Sequence, residues 1–115
     1  MNVIIYHNPR CSKSRQTLQL LQDKGLQPEI VDYLNNPPTA AELGQILQQL
    51  GLKPRELLRK QEDEYKALNL QNPALSDEDL LNAMISTPRL IERPIVLANG
   101  KAAIGRPPEA VLSIL

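Results

Sequence analysis

The feature that most restricts this chain is its opening. A short apolar run, Asn2-Val-Ile-Ile-Tyr6, stops at His7-Asn8-Pro9 and leads almost at once into a helical pattern. A run of that length closed by proline predicts a buried first strand feeding a loop. Residues 12 to 24 then carry Leu18, Leu20 and Leu21 among polar positions, with Gly25 as the C-terminal stop of a helix. Glu29 to Tyr33 reads as a second strand, and strand, helix and strand at this spacing predict a right-handed parallel crossover. The only cysteine, Cys11, therefore falls at a strand-to-helix junction.

Beyond a break at Asn35 to Pro38 the signals turn helical. Thr39 and Glu42 form a capping box, and Leu43, Ile46, Leu47 and Leu50 repeat at helical spacing until Gly51. Two short helical pieces are expected from Pro54 to Leu68. Another helix starts at Ser76-Asp-Glu-Asp, its apolar side including Leu80, Leu81, Ala83, Met84 and Ile85. Pro94 to Ala98, Asn99-Gly100 and Lys101 to Ile104 together read as a hairpin, because Asn-Gly suits the positive φ angles of a type I′ turn. A terminal helix is expected from Pro107. With 115 residues the chain fits one domain, and its core must be built from Leu, Ile, Val and Ala with three Tyr, since Trp and Phe are absent.

Charge and composition narrow the partners. Thirteen Lys plus Arg balance thirteen Asp plus Glu, so no global positive field draws the chain to nucleic acid or to an anionic membrane. Met1 to Tyr6 is too short for a signal-peptide core, and no apolar run approaches the roughly 20 residues of a membrane span. The expected location is cytoplasmic. A single Cys forms no intramolecular disulfide, and one Cys with one His is too few for a protein-built metal site. Neither Gly-x-Gly-x-x-Gly nor a P-loop suggests a nucleotide. No bound cofactor is expected, and any redox chemistry must use an external thiol.

The chemistry concentrates in His7-Asn8-Pro9-Arg10-Cys11-Ser12-Lys13-Ser14-Arg15. A helix N-terminus offers partial positive charge and free N–H groups, and Arg10, Lys13 and Arg15 add full charges, a setting that brings cysteine pKa values to about 3.5 to 7.5. The same N–H groups can cradle a tetrahedral oxyanion, with Ser12 and Ser14 as hydroxyl donors. A buried structural thiol is the plainer alternative, but Arg10, Ser12 and Lys13 flanking it argue against a core position. His7 either hydrogen-bonds near the thiolate or shapes the strand end.

The loop His-Asn-Pro-x-Cys-x-x-Ser-Arg resembles the active-site loop of the glutaredoxin-linked, ArsC-like arsenate reductase family. The likeness extends to Leu57-Leu58-Arg59-Lys60, Arg93-Pro94-Ile95-Val96 and Gly105-Arg106-Pro107, and so runs from Tyr6 to Leu115. It implies an α/β chain with a thioredoxin/glutaredoxin-like mixed four-stranded sheet, in one domain over residues 1–115. A helical insertion of about residues 39–86 would separate its βαβ and ββα halves. It implies reduction of arsenate to arsenite with Cys11 as nucleophile, the substrate being arsenate or a similar oxyanion. Arg93 and Arg106 would grip the oxyanion and Arg59 would steady the charged transition state, while Ser12, Lys13, Ser14 and Arg15 form the anion loop, supported by His7 and Pro94. Glutathione would serve as co-substrate and glutaredoxin as partner. The guanidinium fork suits such a site because it donates paired hydrogen bonds and keeps its charge.

By the same resemblance the Arg93–Pro94 bond is expected to be cis. One departure falls inside the anion loop, where the family commonly has Gly-Thr after the cysteine and this chain has Ser12-Lys13. Two other readings compete. A related thioredoxin-like family of transcription regulators binds RNA polymerase and often carries Cys-x-x-Cys, whereas Cys11-Ser-Lys-Ser14 lacks the second thiol. A monothiol glutaredoxin-like enzyme acting on glutathionylated substrates would need no more than Cys-x-x-Ser.

Overall fold

The computed structural model describes residues 2–115, which divide into two compact units, residues 2–36 with 93–115, and residues 37–92. The first unit is built on a mixed four-stranded sheet in the order β2-β1-β3-β4. Strand β1 (Val3–Tyr6) runs parallel to β2 (Glu29–Val31) and antiparallel to β3 (Ile95–Ala98), which pairs with β4 (Lys101–Ile104). Helix α1 (Ser12–Asp23) joins the two parallel strands. This is the thioredoxin-like arrangement, with a βαβ half and a ββ half meeting at β1 and β3.

Alternation explains β1: Val3 and Ile5 are buried in the core with Leu21, Val96, Ala98, Val111 and Ile114. The buried line of α1 is Ser14, Thr17 and Leu21, three and four residues apart as one helix face requires. Leu18 and Leu20 only flank the core, half-buried. Hydrophobicity alone misjudges this helix, because its N-terminal turns face polar strand ends.

Two element expectations need correction. Strand β2 stops at Val31, short of Tyr33, because the Asp32 carbonyl accepts the N–H groups of Asn35 (3.2 Å) and Asn36 (2.8 Å) and turns the chain. The terminal segment is a 3₁₀ helix over Pro108–Ile114 with Pro107 as its N-cap. Three residues per turn bring Pro108, Val111 and Ile114 onto one line, and all three are buried.

The second unit is helical. Helix α2 (Ala40–Leu50) starts at the Thr39–Glu42 capping box and ends at Gly51, whose φ of 70° is left-handed. Helices α3 (Pro54–Leu57), α4 (Asp63–Ala67) and α5 (Asp77–Ser86) follow, then a 3₁₀ turn at Pro88–Leu90. Leu43, Leu57, Leu80, Met84 and Leu90 are fully buried, where α5 packs against α2, α3 and the 3₁₀ turn. A single bridge pairs Leu58 with Ile91, closed by Arg59 N–H to Leu90 O (2.7 Å) and Glu92 N–H to Leu57 O (3.0 Å). Among the described residues no helix is long and apolar enough to cross a membrane.

Candidate active site

Strand register assembles the site. Tyr6 lies opposite Ile95, and Ile95 opposite Ile104, so one row of the sheet ends in three places at once. After Tyr6 comes the Cys11 loop, before Ile95 come Arg93 and Pro94, and after Ile104 come Gly105 and Arg106. Gly105 N–H donates to Pro94 O (2.9 Å), extending the hairpin ladder one step past the strands.

The loop is held by its own polar groups. Asn8 Oδ1 accepts the N–H of Arg10 (3.0 Å) and Asn8 O accepts the N–H of Cys11 (3.0 Å), which folds the loop into a tight turn. Ser14 Oγ accepts the N–H of Asn8 (3.0 Å) and shares a 2.6 Å hydrogen bond with His7 Nδ1. Arg15 Nη1 donates to Pro9 O (2.8 Å). Burial holds His7 below the usual histidine range; Asp32 opposes this and Arg15 adds to it. The net effect favours the neutral imidazole.

Cys11 caps α1 with extended backbone angles (φ −93°, ψ 123°) and is 9% exposed. Burial pushes its thiol up, but the backbone N–H of Ser14, the hydrogen bond and charge of Arg93, and the N–H of Lys13 more than offset that. The thiol titrates below its ordinary value. Arg106 Nη2 lies 3.4 Å from Cys11 Sγ, while Arg106 Nε donates to Arg93 O (2.8 Å). That second bond restrains the fork: Nε is tied to the backbone while Nη2 faces the sulfur.

The structure thus brings Cys11, Ser14, Arg93 and Arg106 together, with Lys13 contributing its N–H. His7 reaches this group through Ser14, and the Ser14 hydroxyl is engaged inside the fold. Ser12 and Arg15 are exposed at the start of α1. The Arg93–Pro94 bond is cis, as expected, and so is Arg106–Pro107, which the sequence reading did not anticipate. Arg59 belongs to the second unit, where Nε meets Glu62 Oε1 (3.1 Å) and Nη1 meets Glu92 Oε1 (2.6 Å). Burial works against its charge, but Glu92 and Glu62 outweigh burial and raise its pKa. Glu62 is shared with Arg89 at 3.1 Å.

Sequence reasoning passed over Thr17. It is fully buried on the same helix line as Ser14, and its hydroxyl donates to Lys13 O (2.7 Å) and faces Gly105 O (3.4 Å). The one sequence signal was its spacing, three residues after Ser14 and four before Leu21.

Chemically, a thiol with a lowered pKa, next to two guanidinium groups at a helix N-terminus, sits in a setting that favours thiolate and an anion beside it. Comparison with known proteins places the chain in a family. The chain is 59% identical over 114 residues to the uncharacterized protein YfgD of Escherichia coli K12, covering 98% of this chain and 96% of YfgD. It is 52% identical over 116 residues to the arsenate reductase of Haemophilus influenzae, covering all of both. The solved structure of an arsenate reductase from Vibrio cholerae superposes with a TM-score of 0.98 at 53% identity, over 100% of this chain and 98% of that one. The family model described as the ArsC family matches residues 6–114, and the chain belongs to that family.

Proposed function

We propose that this protein reduces arsenate to arsenite at Cys11, with glutathione and glutaredoxin supplying the electrons. The observation that carries the reading is the Cys11 sulfur, 3.4 Å from Arg106 Nη2 and held ionisable by Arg93 and the α1 N–H groups. A relative called arsenate reductase, 52% identical over its full length, supports the choice of oxyanion.

In this reading the Cys11 thiolate attacks arsenic(V); a sulfur–arsenic bond forms and one arsenate oxygen leaves as water. The sulfur of glutathione displaces a second oxygen, again as water. A glutaredoxin thiol then attacks the glutathione sulfur, giving a mixed disulfide and leaving two electrons on arsenic. Hydrolysis releases arsenite and returns the Cys11 thiol. The first step brings two anions together, so Arg93 and Arg106 lower a barrier that repulsion would raise. Ser12, Lys13, Ser14 and Arg15 form the anion loop at the helix N-terminus, with the Lys13 and Ser14 N–H groups beside the sulfur. No bound cofactor is required, and the reaction runs in the cytoplasm, where glutathione is available.

The test follows NADPH oxidation with arsenate, glutathione, glutaredoxin and glutathione reductase. Arsenate accelerates oxidation with the wild-type chain, and Cys11→Ser abolishes the effect. Arg93→Ala lowers kcat/KM by about tenfold or more, the scale of losing a charge-assisted hydrogen bond. Equal rates with and without arsenate in the wild type would end the arsenate assignment.

A further inference from the structure

Arg106 reaches Cys11 from a backbone with little room to be elsewhere. Gly105 is buried, and a Cβ at that position would run into Thr17 Oγ1, Pro94 Cγ at 2.8 Å and Thr17 Cγ2 at 3.0 Å. Its φ is not in the left-handed region, so conformation does not demand glycine here; space does. The residue is pinned on both sides, by its N–H to Pro94 O (2.9 Å) and by its carbonyl facing the Thr17 hydroxyl (3.4 Å). Thr17 is itself fixed by donating to Lys13 O (2.7 Å) from a fully buried position in α1.

We propose that Gly105 and Thr17 are positioning residues. The absent Cβ and the Thr17 hydroxyl let the chain after β4 lie against α1, and that contact sets the Arg106 guanidinium on Cys11 Sγ and on any oxyanion bound there. The inference rests on Cys11 acting as a thiolate nucleophile and is independent of which oxyanion it attacks. The groups acting on the sulfur are Arg106 after β4, Arg93 before β3, and the Lys13 and Ser14 N–H groups of α1, with His7 behind Ser14. Gly105 and Thr17 act through the first of these.

The experiment measures the rate of Cys11 alkylation by iodoacetamide at pH 7, read by mass spectrometry, with circular dichroism to confirm folding. Gly105→Ala and Thr17→Val each slow alkylation by roughly threefold to tenfold, the scale of misplacing one charged hydrogen bond. Thr17→Ser, which keeps the hydroxyl, restores the rate to within about twofold of wild type. In an Arg106→Ala background neither substitution slows the reaction further, because contacts that work through one partner are not additive. Should Gly105→Ala fail to fold, Thr17→Val carries the comparison. Equal slowing with and without Arg106, or no slowing in the wild-type background, overturns the proposal. A wild-type Cys11 no more reactive than a free cysteine thiol removes the thiolate reading beneath it.

Discussion

Burial opposes ionisation of a thiol, and at Cys11 it is the largest single influence on the sulfur. The Ser14 N–H, the Arg93 guanidinium and the Lys13 N–H together overcome it, so the folded thiol titrates below the unfolded one. Linkage turns this into a statement about stability. A group whose pKa is depressed by folding contributes stability above its unfolded pKa and loses it as pH falls through the folded value. The Tm of the wild type minus that of Cys11→Ser should therefore rise with pH and level off above about 8.5, the ordinary thiol value. His7 also favours the neutral form in the fold, but it is present in both proteins and cancels in the difference. A difference that stays flat across the range would mean that folding leaves the thiol pKa unshifted, and one that falls above about 8.5 would mean that burial prevails and keeps the sulfur neutral.

At the scale of elements, the hairpin decides whether two of the arginines meet the cysteine. Asn99 and Gly100 both have positive φ, 56° and 72°, which lets a two-residue turn keep Ile95 opposite Ile104. Arg93 and Arg106 follow from that register. Gly100→Val puts a β-branched residue at a left-handed position and should cost about 1 to 2 kcal/mol, read as a lower urea midpoint with unchanged slope. Such local signals were legible in the sequence: Asn99-Gly100, the Thr39–Glu42 box and the Gly51 stop need only neighbouring residues to act. The end of β2 was equally local, a turn that Asp32, Asn35 and Asn36 make among themselves and that the run of strand-forming residues up to Tyr33 outweighed; the terminal 3₁₀ helix was not legible, because the burial of Pro108, Val111 and Ile114 depends on partners elsewhere in the fold. Thr17 was illegible for a related reason. A threonine in a helix reads as polar and outward until β4 ends against it.

Across the molecule, Cys11 and Arg106 lie 95 residues apart and meet only because β1 pairs with β3 and β3 with β4. Periodicity gave each strand but not their meeting, so the arginines became candidates through the resemblance of their sequence contexts rather than through spacing. The dependence on distant pairing has a measurable consequence. The helix N-terminus that supplies the Lys13 and Ser14 N–H groups is local, whereas both guanidinium contributions require the sheet. On the proposed reading, the reactivity of Cys11 is a property of the assembled sheet. In increasing urea, its alkylation rate should fall in the same transition in which the amide signals of Ile5 and Val96, opposite each other in β1 and β3, are lost. Reactivity that outlasts those signals would assign the thiolate to the α1 N-terminus alone and leave Arg93 and Arg106 with the oxyanion only.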